Sequence, residues 1–200
     1  MFIVRILALT WVKTAPGMPH IIVLMDARLP RHFAASVQID AGAYEVFAYL
    51  DNPARLSTHM TRSSWMMGGG RMQIVTDEGG GTRVGSHIRL SGKAFGHSLF
   101  LDQAVTQHDP PRAKTWETLG EPNLIVIGRY RMGFRLTGAA SRSELRVFID
   151  YDLPSAGVAR ILGWLFGRVY ASWCVKRMLA DAEALFRARG LGHRGAIKSA

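Results

Sequence analysis

Apolar and polar positions alternate at period two through the middle of the chain and change to a helical period near its end. Ser36-Val37-Gln38-Ile39-Asp40 has the alternation of a strand. Asp40 is placed to cap the helix that follows, Ala43–Leu50, in which Tyr44, Phe47 and Ala48 are spaced for one buried face. Asn52-Pro53 stops that helix, and Pro53 opens a second short one through Leu56. Six strand-like segments come next: 71–76, 86–95, 99–106, 113–118, 124–136 and 141–152. Turn chemistry separates them, notably Asp77-Glu78-Gly79-Gly80-Gly81 and Asp109-Pro110-Pro111, where neither proline can donate to a ladder. Short strands joined by tight turns, with no helix between them, predict an antiparallel meander. After Pro154, residues 156–189 lack proline and carry a 3.6-residue period. At 100° per residue, Ile161, Trp164, Ala171, Val175, Met178, Leu179, Ala182 and Phe186 fall on one stripe, opposite Lys176, Arg177, Asp181, Glu183 and Arg187. A curved sheet and one long amphipathic helix must bury their apolar faces on each other. The predicted fold class is α+β: a curved antiparallel sheet of six to seven strands around one long C-terminal helix, with two short helices after the first strand.

The ends of the chain read differently. Residues 1–31 form an N-terminal extension, 32–189 the main domain, and 190–200 a Gly-punctuated basic flexible tail. Arg5 interrupts the first apolar run, which argues against a signal peptide, and Met18 and Met25 are alternative starts. No window approaches the length of uninterrupted apolar sequence that a membrane-spanning helix needs.

Composition narrows the function classes without naming a substrate. With 48% hydrophobic and 20% charged residues in 200, the chain is neither disordered nor fibrous. One cysteine, Cys174, leaves no disulfide framework or Cys-based zinc cluster. Lys plus Arg (25) over Asp plus Glu (15) gives a net charge of +10. That charge suits an anionic partner surface, but the chain lacks the aromatic–basic interleaving of nucleic-acid readers, so a nucleic-acid partner is not expected. His87, His97 and His108 fall on different strands or turns with no ligand spacing, and neither a metal nor another cofactor is expected. Cys174 sits among apolar helical neighbours, unlike an activated nucleophile. Ser63-Ser64 and Gly68-Gly69-Gly70 lack the order of a phosphate cradle.

The order of elements resembles the SRPBCC, or START-like, superfamily with its helix-grip fold, and within it the polyketide cyclase/dehydrase and lipid-transport group. The resemblance rests on the opening strand with Ala43-Tyr44-Glu45-Val46-Phe47-Ala48-Tyr49-Leu50-Asp51-Asn52-Pro53, the Gly85 strand entry, Asp109-Pro110-Pro111-Arg112, the Thr137-Gly138 turn and the long terminal helix. It covers about residues 33 to 188, and the first thirty residues have no counterpart in it. It implies an apolar small molecule held between sheet and helix.

On that reading, one face of each strand lines the space. Its inward candidates are Met72, Ile74, Ile88, Leu90, Leu99, Leu101, Tyr130, Met132 and Phe134, with Trp164 from the helix; Met66 and Met67 would suit an adaptable lining. Gln103 and Tyr130 are the inward polar residues that could orient a ligand. Arg168 falls near the middle of the helical stripe, where it either pairs with an acidic group or ligand, or snorkels to the rim. No catalytic residue is identified. The expected function is binding or transport of a lipid, quinone or polyketide-like molecule. The alternative is a metal-independent cyclase or aromatase-like enzyme acting in the same cavity. Leu162, Phe166, Val169, Tyr170 and Trp173 make residues 161–175 apolar nearly all round, so that part of the helix requires a cover: the N-terminal extension, a second subunit in a homodimer, or an anionic membrane surface. The expected location is cytoplasmic, with peripheral membrane contact allowed.

Overall fold

The computed structural model describes residues 29–56, 71–138 and 140–197. In chain order these form β1 (Arg31–Ile39), α1 (Ala43–Leu50), α2 (Pro53–Leu56), β2 (Arg71–Thr76), β3 (His87–Ala94), β4 (His97–Asp109), β5 (Ala113–Thr118), β6 (Tyr130–Gly138), β7 (Ser143–Tyr151) and α3 (Gly157–Ile197). The seven strands make one antiparallel sheet in the order β1-β7-β6-β5-β4-β3-β2. The first strand thus pairs with the last, Phe33 opposite Ile149 and Val37 opposite Leu145, and β2–β7 form an unbroken meander. A register shift between Val105 and Gln107 bends β4 against β5, the kind of irregularity that curves a sheet. The long helix lies across the concave side, along β1 and β7. The fold is therefore the predicted helix-grip architecture.

Inward and outward faces of the strands follow the alternation in the sequence. On β6, Tyr130, Met132, Phe134 and Leu136 are buried while Arg131 and Arg135 face solvent. On β7, Leu145, Val147, Ile149 and Tyr151 are buried in the same way.

Three local expectations are corrected. The α1 helix is capped by Gly42, with no side-chain cap from Asp40, and it buries Val46, Phe47 and Leu50 while Tyr44 and Ala48 face water. Phe47 stacks edge-on against Phe134, which fixes the helix's rotation and leaves Tyr44 no core to enter. The expected strand over 124–136 begins only at Tyr130. After the Phe100–Asn123 bridge, Leu124, Ile125, Val126 and Ile127 leave the ladder and pack as a loop between sheet and helix. Their apolar run mimics a strand because it too is sandwiched between two surfaces. The helix continues through residues 190–197, where the glycines predict an irregular end. The expected readings of the N-terminal extension, Ser63-Ser64, Met66, Met67 and Gly68–Gly70 lie outside the described residues.

The rotation of α3 is the largest correction. Ala171, Val175, Met178, Leu179, Ala182 and Phe186 are buried as the stripe predicts, but Ile161, Trp164 and Arg168 are exposed, Trp164 to 70%. In the first four turns the buried positions are Gly163 and Gly167. A Cβ at Gly163 would lie 2.9 Å from the Val126 carbonyl oxygen and 2.8 Å from the Pro154 ring, and one at Gly167 would lie 3.1 Å from the same carbonyl. The helix backbone reaches its closest approach where it has no side chains, so the bulky residues turn outward. Weighting the helix by hydrophobic mass points the other way.

Candidate functional site

Two adjoining spaces lie between the sheet and α3. The inner one is a small core cavity of about 40 Å³. Its floor is Ile88 and Leu90 of β3, Leu101 and Gln103 of β4, Trp116 of β5, and Tyr130 and Met132 of β6; Tyr170, Cys174 and Met178 of α3 close it. The outer one is an apolar groove of about 610 Å³. Its walls are the β3–β4 hairpin with Ala94, Phe95, His97 and Leu99, the loop Leu124–Ile127, and Leu162, Phe166, Val169 and Tyr170 of α3. Leu124, Ile127 and Tyr170 belong to both spaces and form the partition between them. The groove's volume falls in the range typical of small-molecule sites, about 300–1,000 Å³, whereas the inner cavity holds little more than a water.

The strands bring six of the expected lining residues together around the inner cavity: Ile88, Leu90, Leu101, Gln103, Tyr130 and Met132. Leu99 faces the groove. The remaining five lie elsewhere. Met72 is packed core, and Ile74 borders a separate hollow of about 420 Å³ beside Pro53 and the β2–β3 turn. Phe134 is fully buried beneath α1. Trp164 and Arg168 are on the solvent side of the helix; burial raises the Tyr151 phenol above the usual tyrosine range, and the Arg31 and Arg168 guanidiniums oppose that shift. Of the readings left open for Arg168, the side chain takes the exterior one, because the turn of the helix excludes it from the cavity.

The polar chemistry of the inner wall is compact. Gln103 Nε2 donates to the Tyr130 hydroxyl at 2.6 Å, a buried pair from the two strands that flank β5. Burial, with Cys174 alongside, pushes the Tyr130 phenol well above the ordinary tyrosine range. Burial likewise raises the Tyr170 phenol, which bonds the Cys174 thiol one helical turn away, and pushes Cys174 up to about 12. All three groups therefore stay neutral at pH 7 and offer hydrogen bonds without charge.

A charged cluster borders the same cavity. Lys114 on β5 is 2% exposed, and its Nζ donates to Asp51 Oδ1 at 2.6 Å and to the Asp51 carbonyl at 2.7 Å. His108 Nε2 lies 3.0 Å from the same carboxylate, its ring edge-on to Phe47. Burial lowers the Lys114 pKa below the usual 10.5, and the Asp51 hydrogen bond opposes that shift. Asp51 follows α1 directly, so the ammonium also neutralises that helix's negative end. The β4–β5 hairpin sets His108 opposite Lys114, but Asp51 is far from both in sequence and no local spacing brings it to them. Trp116 and Lys114 could have been read from the alternation of β5, whereas Tyr170 and Cys174 could not, because they depend on the helix's rotation.

A curved antiparallel sheet gripping a long helix, with an apolar space between them, defines a ligand-cavity fold. Residues 30–188 match the family "polyketide cyclase / dehydrase and lipid transport", and the chain belongs to that family. Among solved structures, the Zhui aromatase/cyclase from Streptomyces sp. R1128 aligns at 20% identity with a TM-score of 0.56, over 80% of this chain and 98% of that one. A norcoclaurine synthase variant from Thalictrum flavum, in complex with a transition-state analogue, aligns at 9% identity and 0.56, over 80% and 96%. A protein from Chromobacterium violaceum aligns at 14% and 0.54, over 78% and 98%. At these identities the likeness is one of fold. No curated protein matches by sequence.

Proposed function

We propose that the protein binds and carries a lipophilic small molecule, of lipid, quinone or polyketide-like character, in the groove between the β3–β4 hairpin, the 124–127 loop and α3. The observation that carries this reading is the groove itself: about 610 Å³ of almost wholly apolar wall, backed by the Gln103–Tyr130 pair across a thin partition. Apolar burial at about 25 cal/mol per Å² would supply most of the affinity. A ligand that displaces Leu124 or Tyr170 inward would reach the Tyr130 hydroxyl, which can donate to a carbonyl because Gln103 is its donor.

The polar groups support binding over reaction. An acid–base catalyst near neutral pH needs a pKa near 7. Tyr130, Tyr170 and Cys174 are moved away from that value, and Lys114 is committed to Asp51. The family and the solved neighbours include cyclase chemistry in their names, but no proton-transfer pair in this wall favours it.

Uptake of a fluorescent polyene fatty acid tests the proposal. The natural chain should bind it saturably. Val169→Trp, which fills the groove from an exposed helical position, should abolish uptake without lowering the thermal midpoint. Native mass spectrometry of freshly purified protein should also show a co-purified apolar mass. Uptake that survives Val169→Trp unchanged would remove the groove as the site.

A further inference from the structure

A second apolar surface lies just outside the groove. Because Gly163 and Gly167 take the buried side of α3, the opposite side presents Val158, Ile161 and Leu165 at three- and four-residue spacing to solvent, a stripe that ends at Val169 on the groove wall. Ile161 is 62% exposed and Leu165 51%. Neither lines the groove. A contiguous apolar stripe of this kind on a globular surface marks a contact.

The β3–β4 hairpin supplies an independent sign. Ala94 pairs with His97, which leaves Phe95 and Gly96 as a two-residue turn with φ of 50° and 77°. Positive φ at both central positions is the type I′ geometry, which favours Asn, Asp or Gly. A phenylalanine there is conformationally strained, and its ring is 60% exposed. Neither the turn nor the core selects Phe95, and an outlier of this sort points to function. Phe95 of the hairpin tip and Phe166 and Val169 of α3 line the same groove, so hairpin tip and helix stripe border one space.

Charge identifies the partner. From Leu153 to Ala180 the chain has four cations, Arg160, Arg168, Lys176 and Arg177, and no acidic residue, Arg177 pairing with Asp181 one turn on; Lys93 adjoins the hairpin tip. A second copy docked by twofold symmetry would set these cations against themselves. Residues 1–28 carry three cations, Arg5, Lys13 and Arg28, against Asp26 alone, and offer no complement either. An anionic lipid surface does: aromatic and aliphatic side chains enter the headgroup boundary while Lys and Arg meet phosphate. We propose that this face, Phe95 with the 158–169 stripe, docks the protein onto anionic phospholipid bilayers with the groove mouth against the membrane. The inference does not require the groove to hold a ligand.

Flotation with vesicles tests it. The full chain should float with phosphatidylcholine vesicles containing phosphatidylglycerol at low salt, and should not float with pure phosphatidylcholine or at high salt. Leu165→Glu should weaken partition by about tenfold or more while leaving fatty-acid uptake intact. Phe95→Asn should weaken partition too, with an unchanged or higher thermal midpoint, because Asn suits the turn; that separates docking from folding. A chain that never floats, as expected if residues 1–28 already cover the stripe, overturns the proposal. Flotation indifferent to both substitutions does so as well. Sedimentation as a dimer that Leu165→Glu returns to monomer would assign the face to a second copy instead. Normal flotation of a natural chain that takes up no fatty acid would leave docking standing and remove the groove reading alone.

Discussion

Cys174 shows how far one side chain's chemistry is set by its surroundings. As the lone cysteine it invites a reactive role, yet burial against Tyr170 holds its thiol at about 12. The folded protein should resist alkylation by iodoacetamide at pH 8, and denaturant should restore ordinary reactivity, measured by intact mass. The linkage has a definite sign. Between the usual 9.0 and about 12, the folded thiol keeps a proton that the unfolded one loses. Stability linked to Cys174 is therefore complete below pH 9 and falls as pH rises, by about 2 kcal/mol near pH 10.5. Urea titrations of the natural chain and Cys174→Ala should converge across that window; parallel curves would show the thiol to be less buried than described.

At the scale of elements, α3 depends on being thin where the sheet and loop are close. Gly163 and Gly167 cost helix propensity, about 1 kcal/mol each relative to alanine. They are tolerated because the Val126 carbonyl and the Pro154 ring occupy the space a Cβ would take. Gly163→Ala should therefore destabilise by about 1–3 kcal/mol despite the better propensity, since neither a ring nor a backbone carbonyl yields easily. Thermal unfolding reads this directly, and a raised midpoint would refute the close approach. The same contact holds Val126 and its neighbours in the partition, so a shift there should also alter fatty-acid uptake.

Across the whole molecule, the Lys114–Asp51–His108 cluster ties the end of α1 to the centre of the sheet. With Lys114 almost fully buried, removal of its charge leaves a partly buried carboxylate without its main partner. Lys114→Met should cost about 2–4 kcal/mol in chemical denaturation, while a double change that also neutralises Asp51 should recover part of the loss. Additive losses would mean that the two groups do not act as a pair. Among the described residues, no helix is long and apolar enough to cross a membrane.

The sequence by itself determined the strands, their order of appearance and which faces turn inward. Alternation at period two is a local property, and a buried face punishes any slip in register at every other residue. That is why Ile88, Leu101, Gln103, Tyr130 and Met132 could be placed in the wall from their spacing alone. Only the tertiary structure decided the rotation of α3, the loop at Leu124–Ile127, and the meeting of Lys114 with Asp51. Helix rotation depends on how closely two backbones can approach, a quantity set by missing side chains, and hydrophobic mass does not record it. Trp164 and Arg168 were drawn inward by their place on an apolar stripe, and two glycines turned them out.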